Sequence, residues 1–443
     1  MSEFVIPNSI WNPQAETMPR RELQQLQLAK LKEVVRYAGE HVGFYREAFA
    51  KAKITPDSIR SLDDIRRLPF TTKANLRENY PFKMLAVPKS QLARIHASSG
   101  TTGKPTFCGY TKNDLNLWSE LCARFLVAGG LKPEHIVQIA FGYGLFTGGF
   151  GLHYGIEKVG AAILPISSGN TDRQIMMMQD IGTNVLICTP SYALNLAEVM
   201  AEKGIRPCDL QLQYAHFGGE QWTESMRQEI ERRLHIHAFN NYGLSEIIGP
   251  GVSGECAALS GMHCQEDHFI FELINPETLE PVKPGEQGEM VITALSKEAM
   301  PIIRYRTRDL TTLDCSPCPC GRTTIRMGRV IGRSDDMLII RGVNVFPSQI
   351  EEALLKVEGA APQYLIEVTR PGNLDQVVVK VEVNQGVFSD QMSEMQKLKA
   401  KLERQIQTII NIHANVELVQ PNTLERSLGK AKRVIDHRNL RDQ

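Results

Sequence analysis

Residues 98–106, SSGTTGKPT, combine five hydroxyl side chains with two glycines and one lysine. Hydroxyls and the backbone N–H groups of a glycine-containing turn can solvate phosphate oxygens, and Lys104 adds a compact positive charge. The spacing differs from that of a GxxxxGKS/T loop, because Gly100 and Gly103 lie three residues apart and Pro105, which has no N–H, follows the lysine. The composition alone fits a phosphate-binding loop and a small polar surface turn about equally well.

Three further motifs follow in order: NNYGLSE at 240–246, YRTRD at 305–309 and GRSDDMLIIRGVNVFPSQIE at 332–351. Together with SSGTTGKPT, they resemble the motifs of the adenylate-forming superfamily of acyl- and aryl-CoA ligases. Within that superfamily, RYRTRDL, CGRT and RGVNVFPSQIE resemble the phenylacetate–CoA ligases. The motifs span residues 98–433, so the resemblance covers nearly the whole chain.

The resemblance implies a two-step reaction. A carboxylate attacks the α-phosphate of ATP, which gives acyl-AMP and pyrophosphate, and the coenzyme A thiolate then displaces AMP. ATP, Mg²⁺ and coenzyme A are the implied cofactors. The implied substrate is an aryl carboxylic acid, either phenylacetate or a close aryl-acetate.

The resemblance also assigns roles to residues of the motifs. The hydroxyl-rich loop would hold the β- and γ-phosphates, and Glu246 would ligate Mg²⁺, for which a carboxylate is a suitable hard ligand. Tyr242 and Gly243 would lie against the adenine and the α-phosphate, and Asp309 would accept hydrogen bonds from both ribose hydroxyls. The implied cofactor-binding residues are Ser98, Ser99, Gly100, Thr101, Thr102, Gly103, Lys104, Gly218, Gly219, Glu220, Asn241, Tyr242, Gly243, Ser245, Asp309, Arg333, Asp335 and Gly342.

A lysine near the end of the chain completes the implied catalytic set. Lys430, in SLGKAKRVID, would reach the carboxylate and the α-phosphate during adenylation, where a mobile ammonium can neutralise developing charge. Lys432 is the competing candidate, because Leu428 stands where the family pattern has an acidic residue.

The implied hinge divides the chain into two domains. A large ATP- and acyl-binding domain would cover residues 1–334, and a small mobile domain would cover residues 335–443. The small domain would rotate about Asp335, or about the adjacent Asp336, between the two half-reactions. Gly342 would then lie near the path of the thiol.

An aromatic stretch, FGYGLFTGGFG at 141–151, lies where the resemblance places the acyl site. Its rings could line an apolar pocket around glycines that leave space for a flat ring, although aromatic residues at such spacing are also typical of a core. The strand segment YAHFGGE adds further candidates. The predicted substrate-binding residues are Phe141, Tyr143, Phe146, Ala215, His216 and Phe217.

Five of the nine cysteines fall within one short region, and a histidine lies among them. Thiolates and an imidazole are suitable ligands for tetrahedral Zn²⁺. We predict a structural zinc site formed by Cys256, His263, Cys318 and Cys320, with Cys264 and Cys315 as alternative ligands. The remaining cysteines, Cys108, Cys122, Cys188 and Cys208, are predicted to be buried as small apolar residues.

Composition restricts the class of protein. Lysine plus arginine and aspartate plus glutamate number 50 each in 443 residues, so bulk charge favours neither nucleic-acid binding nor a polybasic membrane patch. We expect a cytoplasmic enzyme, because the sequence has neither a signal-peptide pattern nor a membrane-length apolar run. The oligomeric state stays open, although homodimers are the commonest assembly.

The hydrophobic pattern predicts an α/β fold. Apolar runs at 136–142, 161–166 and 184–190 alternate with amphipathic segments at 191–204 and 223–234, which is typical of a helix-covered, mainly parallel sheet. We expect mixed sheets of this kind in the large domain, together with a barrel-like antiparallel piece.

The antiparallel piece is predicted at 268–312, where a Pro-Gly turn separates two strand patterns. In the tail, the strand pattern at 337–342, the helix pattern at 347–357 and the strand pattern at 363–369 predict a βαβ-type unit. A long charged helix at 389–411 and a last strand follow, as expected for a small α+β domain.

Two other functions compete with the CoA ligase. The acyl-AMP could pass to a carrier protein or an amine, or the chain could be a non-catalytic nucleotide-binding protein. The complete small domain with RGVNVFP favours coenzyme A, and the joint presence of Glu246, Asp309 and Lys430 favours catalysis.

Overall fold

A computed structural model describes residues 8–98, 105–283, 285–335, 337–341, 343–371, 374–383, 392–425 and 433–438. The chain divides into two compact units. The first comprises Met1–Cys188, Cys208–Gly219 and His237–Arg329, and the second comprises Thr189–Pro207, Glu220–Ile236 and Val330–Gln443.

The helices and strands are numbered in chain order. The helices are α1 Pro13–Glu16, α2 Arg20–His41, α3 Gly43–Ala52, α4 Lys73–Glu78, α5 Lys112–Ala128, α6 Thr147–Val159, α7 Thr171–Ile181, α8 Pro190–Glu202, α9 Glu224–Leu234, α10 Pro347–Leu355 and α11 Met392–Ile410. The strands are β1 Arg94–Ser98, β2 Thr106–Tyr110, β3 Ile136–Ile139, β4 Ala162–Leu164, β5 Val185–Cys188, β6 Tyr214–Phe217, β7 His237–Leu244, β8 Gly249–Glu255, β9 Met262–Cys264, β10 Phe269–Ile274, β11 Gly288–Ala294, β12 Tyr305–Thr311, β13 Leu313–Asp314, β14 Arg326–Met327, β15 Gly332–Arg333, β16 Leu338–Ile340, β17 Val343–Val345, β18 Ala360–Thr369, β19 Gln376–Val383, β20 Asn415–Val419 and β21 Val434–Asp436.

The first unit contains a mixed sheet of nine strands in the order β13-β14-β9-β8-β7-β6-β5-β3-β4. The neighbours from β4 to β7 pair in parallel, which confirms the strands predicted from the alternating apolar runs. From β7 to β13 the pairing is antiparallel. β7 therefore joins the two halves of the sheet.

Helices α5 and α6 cover the sheet near β8 and pack closely on each other. Ideal Cβ atoms on Gly151 and Gly155 would lie 2.3 Å from Trp118 and 2.4 Å from Cys122, so glycine permits this approach. Two smaller antiparallel pieces complete the first unit: the β1–β2 hairpin, and β10, β11 and β12. The latter group confirms the antiparallel piece predicted at 268–312.

The second unit has a sheet in the order β20-β19-β18-β21. β18 and β19 are antiparallel, whereas β20 runs parallel to β19 and β21 runs parallel to β18. Helices α10 and α11 contact each other beside this sheet. Leu398, Leu402, Ile406 and Ile410 repeat every fourth residue of α11 and are buried, as expected for the apolar stripe of an amphipathic helix.

The βαβ unit predicted around α10 is wrong. β16 pairs with β17 in a separate hairpin and is not a strand of the β18 sheet. In the second compact unit, the parallel crossover connection runs instead from β19 through α11 to β20. The predicted domain boundary after residue 334 lies within the second unit and stays a prediction.

Three of the four scattered cysteines are buried as predicted, namely Cys108, Cys122 and Cys188. Cys208 is exposed, so that prediction was wrong. Among the residues that the structure describes, no helix combines the length and the apolar character needed to cross a bilayer.

Candidate functional site

The turn between β7 and β8 carries Glu246. The pairing of the two strands shifts register between Tyr242 and Gly243. An ideal Cβ on Gly243 would lie 1.9 Å from the carbonyl oxygen of Gly249, so the strands approach as closely as only glycine allows. The resulting turn holds Glu246 in a largely buried position, with Lys73 Nζ 3.7 Å from its Oε1.

A hydrogen bond joins two of the predicted motifs. The hydroxyl of Tyr242 on β7 donates to Oδ2 of Asp309 on β12 over 2.6 Å. The backbone N–H of Asp309 donates to the Thr307 hydroxyl over 3.0 Å, which holds the aspartate at its place on the strand. The structure thus brings together NNYGLSE and YRTRD, which are far apart in the sequence.

The carboxyl end of β6 lies beside the middle of β7, where Phe217 pairs with Asn240. Asn241 Nδ2 donates to the carbonyl of Phe217 over 2.7 Å, and an ideal Cβ on Gly218 would lie 2.8 Å from Asn241 Oδ1. Gly219 has φ +82°, a left-handed conformation that favours glycine. Ligands of open α/β sheets bind beyond the carboxyl ends of the strands, so these residues occupy a suitable edge.

Glu220 follows this edge but belongs to the second unit, where its Oε1 accepts a hydrogen bond of 2.7 Å from the N–H of Ser191. In the same unit, Arg333 forms two hydrogen bonds with Asp335, of 2.8 and 3.0 Å. The predicted hinge residue therefore has a basic partner two positions before it.

Several predicted residues lie outside the described part of the chain. They are Ser99, Gly100, Thr101, Thr102, Gly103, Lys104, Gly342 and Lys430, together with the alternatives Lys432 and Asp336. Ser98 is described, and it pairs with Thr106 at the end of the β1–β2 hairpin.

The aromatic stretch after β3 forms a cluster in the first unit. Phe141 and Phe146 have ring centroids 6.3 Å apart, and Tyr143 packs edge-on against Phe150 at 5.2 Å. The Tyr143 hydroxyl lies 3.2 Å from His153 Nδ1, and burial raises its pKa. The structure therefore pairs two of the predicted acyl-site residues, Phe141 and Phe146, whereas Tyr143 contacts Phe150 and His153.

The three candidates on β6 have different surroundings. Ala215, His216 and Phe217 are buried within the sheet. The His216 ring stacks on Phe239 with centroids 5.4 Å apart, and burial lowers its pKa to about 3. It is thus a neutral imidazole packed in the core, and this position favours a structural role.

Two lysines near Glu246 were not singled out from the sequence. Lys73 is the first residue of α4, which Thr72 caps. Lys297 is buried, and its Nζ donates to the carbonyl oxygen of Glu246 over 3.1 Å. No local pattern could have revealed either contact, because each depends on strands and helices distant in sequence.

The cysteine-rich region forms a compact buried cluster. The ligand atoms of Cys256, His263, Cys318 and Cys320 all lie within 4.8 Å of one another. Cys256 Sγ is 3.8 Å from Cys318 Sγ, and Cys320 Sγ is 3.3 Å from His263 Nε2. The other ring nitrogen of His263, Nδ1, lies 3.0 Å from the Thr324 hydroxyl. A hydrogen bond of this type typically fixes the orientation of a metal-binding imidazole.

The cluster contains the four predicted ligands and neither of the two alternative cysteines, Cys264 and Cys315. Cys264 is buried with its Sγ 3.9 Å from the carbonyl of Met262, and Cys315 is exposed. Hydrogen bonds with Cys256 and His263 lower the pKa of the Cys320 thiol. A thiolate is the form of cysteine that binds metals, so the cluster has suitable donors for Zn²⁺.

Two family models together match most of the chain. Residues 17–296 match the model of the AMP-binding enzyme family, and residues 342–438 match the AMP-binding enzyme C-terminal domain. The chain belongs to the AMP-binding enzyme family. This result confirms the predicted membership of the adenylate-forming enzymes.

This chain is similar to curated proteins over nearly its whole length. It is 47% identical to a phenylacetate-coenzyme A ligase of Thermus thermophilus, with 97% of this chain and 100% of the relative covered. It is also 47% identical to the phenylacetate-coenzyme A ligase of Escherichia coli, with 98% and 99% covered. The predicted resemblance to phenylacetate–CoA ligases is thereby confirmed.

A solved structure of a related protein confirms the fold of this chain. A 2-hydroxyisobutyryl-CoA ligase in the postadenylation state superimposes with a TM-score of 0.92 at 30% identity, with 97% of this chain and 92% of that chain covered. The predicted α/β class with mixed sheets is therefore correct.

Proposed function

We propose that this enzyme activates an aryl carboxylic acid, phenylacetate or a close aryl-acetate, and transfers it to coenzyme A. In the first step a carboxylate oxygen attacks the α-phosphorus of ATP, the bond to the bridging oxygen breaks, and pyrophosphate leaves. In the second step the thiolate sulfur attacks the acyl carbon and AMP leaves with the oxygen of the broken acyl–oxygen bond. The observation that carries the proposal is the Tyr242–Asp309 hydrogen bond beside the Glu246 turn, in a chain whose nearly full-length relatives are named phenylacetate-coenzyme A ligases.

The nucleotide would bind beyond the carboxyl end of β6, beside Asn241 on β7. Asp309 is suited to accept hydrogen bonds from the ribose hydroxyls, because Tyr242 already orients its carboxylate. Gly218 and Gly219 are suited to the adenine side, since neither presents a side chain there. The remaining proposed contacts are Ser98 to Lys104, Glu220, Asn241, Gly243, Ser245 and Arg333.

Glu246 would hold Mg²⁺. A buried carboxylate is a suitable ligand for a hard cation, and bound Mg²⁺ would neutralise charge on the phosphate oxygens. Lys73, 3.7 Å from this carboxylate, is exposed enough to move when a cation binds. The acid would lie near Phe141, Tyr143 and Phe146, whose rings provide an apolar surface beside the polar Tyr143 hydroxyl.

The small domain would change position between the two steps. We propose residues 1–334 and 335–443 as the two domains, with Asp335 as the hinge, Lys430 as the adenylation lysine and Gly342 near the thiol. Loss of Lys430 should abolish adenylation and spare the reaction of supplied acyl-AMP with coenzyme A. The cytoplasmic location and a homodimeric state also stay predictions.

A structural Zn²⁺ would bind to Cys256, His263, Cys318 and Cys320. The donor set and its compactness support this assignment. The ion would join the segment after β8 to the loop before β14, and its role would be to stabilise the fold rather than to take part in the reaction.

Pyrophosphate release tests the function. We would supply ATP and Mg²⁺ with phenylacetate, 4-hydroxyphenylacetate, indoleacetate, benzoate or a short fatty acid, each with and without coenzyme A. The proposal expects release that depends on an aryl acid and turns over faster with coenzyme A. Release that coenzyme A does not affect would point to a carrier protein or an amine as acceptor, and no release with any acid would contradict the proposed activity.

A further inference from the structure

Side chains from two different segments hold the Glu246 turn by its carbonyl groups. The hydroxyl of Tyr110 lies 3.3 and 3.1 Å from the carbonyl oxygens of Ser245 and Ile248 and shares its one proton between them. Lys297 Nζ donates to the carbonyl of Glu246 itself over 3.1 Å. Because three carbonyls of one four-residue turn accept from side chains, the placement of the turn depends on these donors.

Lys297 is an unusual donor for such a task, since it is only 3% exposed. Its Nζ lies 5.0 Å above the Tyr110 ring, within the range of a cation–π interaction. Burial lowers its pKa, and the nearby Cys108, Asp114 and Glu246 oppose that shift. A buried charge is costly, and the Glu246 carbonyl, the Tyr110 ring and these nearby groups together offset that cost.

The backbone next to Lys297 is also anchored. Asp114, in the first turn of α5, accepts from the N–H groups of Glu298 and Ala299 over 2.7 and 3.0 Å. Tyr110 in turn stacks on Trp118, with centroids 5.1 Å apart and planes at 14°. α5 therefore anchors the backbone next to Lys297 and the ring of Tyr110, and both side chains are buried.

We propose that Lys297 is a positioning residue for the cation site at Glu246. By holding the Glu246 carbonyl, it sets where the carboxylate of the same residue points. The inference rests on the proposed Mg²⁺ role of Glu246. Residues that orient a metal ligand typically change metal affinity by about 10- to 100-fold when they are removed.

The test uses Lys297→Met, which keeps a long unbranched side chain and removes the donor. Mn²⁺ replaces Mg²⁺ as the probe, and its binding to the enzyme with ATP is followed by electron paramagnetic resonance. We expect the Kd of Mn²⁺ to rise by about tenfold or more, with the KM of the acid unchanged. Tyr110→Phe should raise the Kd as well, because it removes the hydroxyl and keeps the stacked ring.

Lys30→Met is the matched control. Lys30 Nζ also donates to a backbone carbonyl, that of Asp267 over 2.7 Å, and burial also lowers its pKa. It takes no part in the Glu246 turn, so its loss should reduce thermal stability and leave Mn²⁺ binding unchanged. If Lys30→Met and Lys297→Met shift Mn²⁺ binding equally, Lys297 has only a structural role and the inference is overturned.

Glu246→Gln distinguishes the proposed cation site from the positioning role of Lys297. If it leaves Mn²⁺ binding unchanged, the proposed cation site is wrong. If Glu246→Gln weakens binding and Lys297→Met does not, only the positioning role of Lys297 fails. If both weaken it, the double variant should be no worse than Glu246→Gln alone, since Lys297 acts through Glu246.

Discussion

Tyr242 on β7 and Asp309 on β12 are joined by a hydrogen bond of 2.6 Å between a phenol and a carboxylate. The two strands belong to different sheets of the first unit, so the bond connects the long mixed sheet to the antiparallel piece. It also orients the carboxylate of Asp309 through Tyr242, which lies just before the Glu246 turn in the sequence.

Replacing Tyr242 with phenylalanine should weaken ATP binding and spare the fold. A hydrogen bond to a charged acceptor contributes about 1.5–3 kcal/mol, so the KM of ATP should rise by about tenfold or more. Tyr45→Phe is a suitable control, because its hydroxyl accepts from Ile303 N–H in the core over 3.0 Å. That control should lower the melting temperature and leave the KM of ATP unchanged; an unaltered KM in Tyr242→Phe would refute the role.

Gly243→Ala should disrupt the Glu246 turn. The added Cβ would lie 1.9 Å from the carbonyl oxygen of Gly249, which is backbone and cannot rotate away. We expect loss of most pyrophosphate release, together with a lower melting temperature. Gly43→Ala, where no atom lies within 4 Å of the new Cβ, should behave as the wild type. Full activity of Gly243→Ala would show that the close strand approach is unimportant.

The zinc proposal predicts one ion per chain in protein purified without chelator. Cys318→Ser should lose it, whereas Cys315→Ser, at an exposed cysteine outside the cluster, should retain it. Elemental analysis measures both. Equal zinc contents in the two variants, or a wild type with far less than one ion, would contradict the site.

Zinc removal should also loosen the N-terminal segment. Asn8 Nδ2 donates to the carbonyl of Cys320 over 3.0 Å, and Arg322 Nε donates to Glu16 Oε2 over 2.6 Å. The loop with the proposed ligands is therefore bound to the start of the described chain. Limited proteolysis should cut near residues 8–18 faster in Cys318→Ser than in Cys315→Ser.

Glu351 should make stability depend on pH. Burial is the main cause that raises its pKa to about 7, with the Glu220 charge adding to the effect, whereas its ordinary value is 4.5. The folded chain thus keeps a proton that the unfolded chain has lost, so stability should fall as the pH rises from about 4.5 to about 7. Glu351→Gln should remove this loss and stabilise the protein at pH 8, by at most about 3 kcal/mol.

Melting temperatures at pH 5 and pH 8 measure the effect of Glu351. Glu352→Gln is the matched control, because the neighbouring carboxylate on the same helix pairs with Lys356 at 2.9 Å near the surface. The difference between the two pH values should shrink in Glu351→Gln and persist in the control. Parallel behaviour of wild type and Glu351→Gln would mean that Glu351 titrates normally.

Local patterns were sufficient for most elements. The apolar runs that became β3 and β5 are buried inside a sheet, where continuous hydrophobic sequence is required, whereas β4 is the edge strand of that sheet. The four-residue repeat of α11 likewise belongs to one helix face. The pairing of β16 was mispredicted because strand partners are chosen by contacts between distant segments, and a run of three residues carries no information on its partner.

The order of the motifs determined the family and placed Glu246, Tyr242 and Asp309 among the candidate residues. Sequence also limited the zinc ligands to a few cysteines and one histidine. Only the tertiary structure revealed the Tyr242–Asp309 bond and the two lysines at Glu246, because each contact joins segments that no local rule relates.

The choice among the cysteines has a simple physical reason. His263 and Cys264 are consecutive on β9, so their side chains point to opposite faces of the sheet. His263 therefore reaches the cluster, and Cys264 is directed into the core. The sequence by itself determined which residue types could bind a metal. The alternation of side chains along β9 decided that His263, and not Cys264, lies beside the other three ligands.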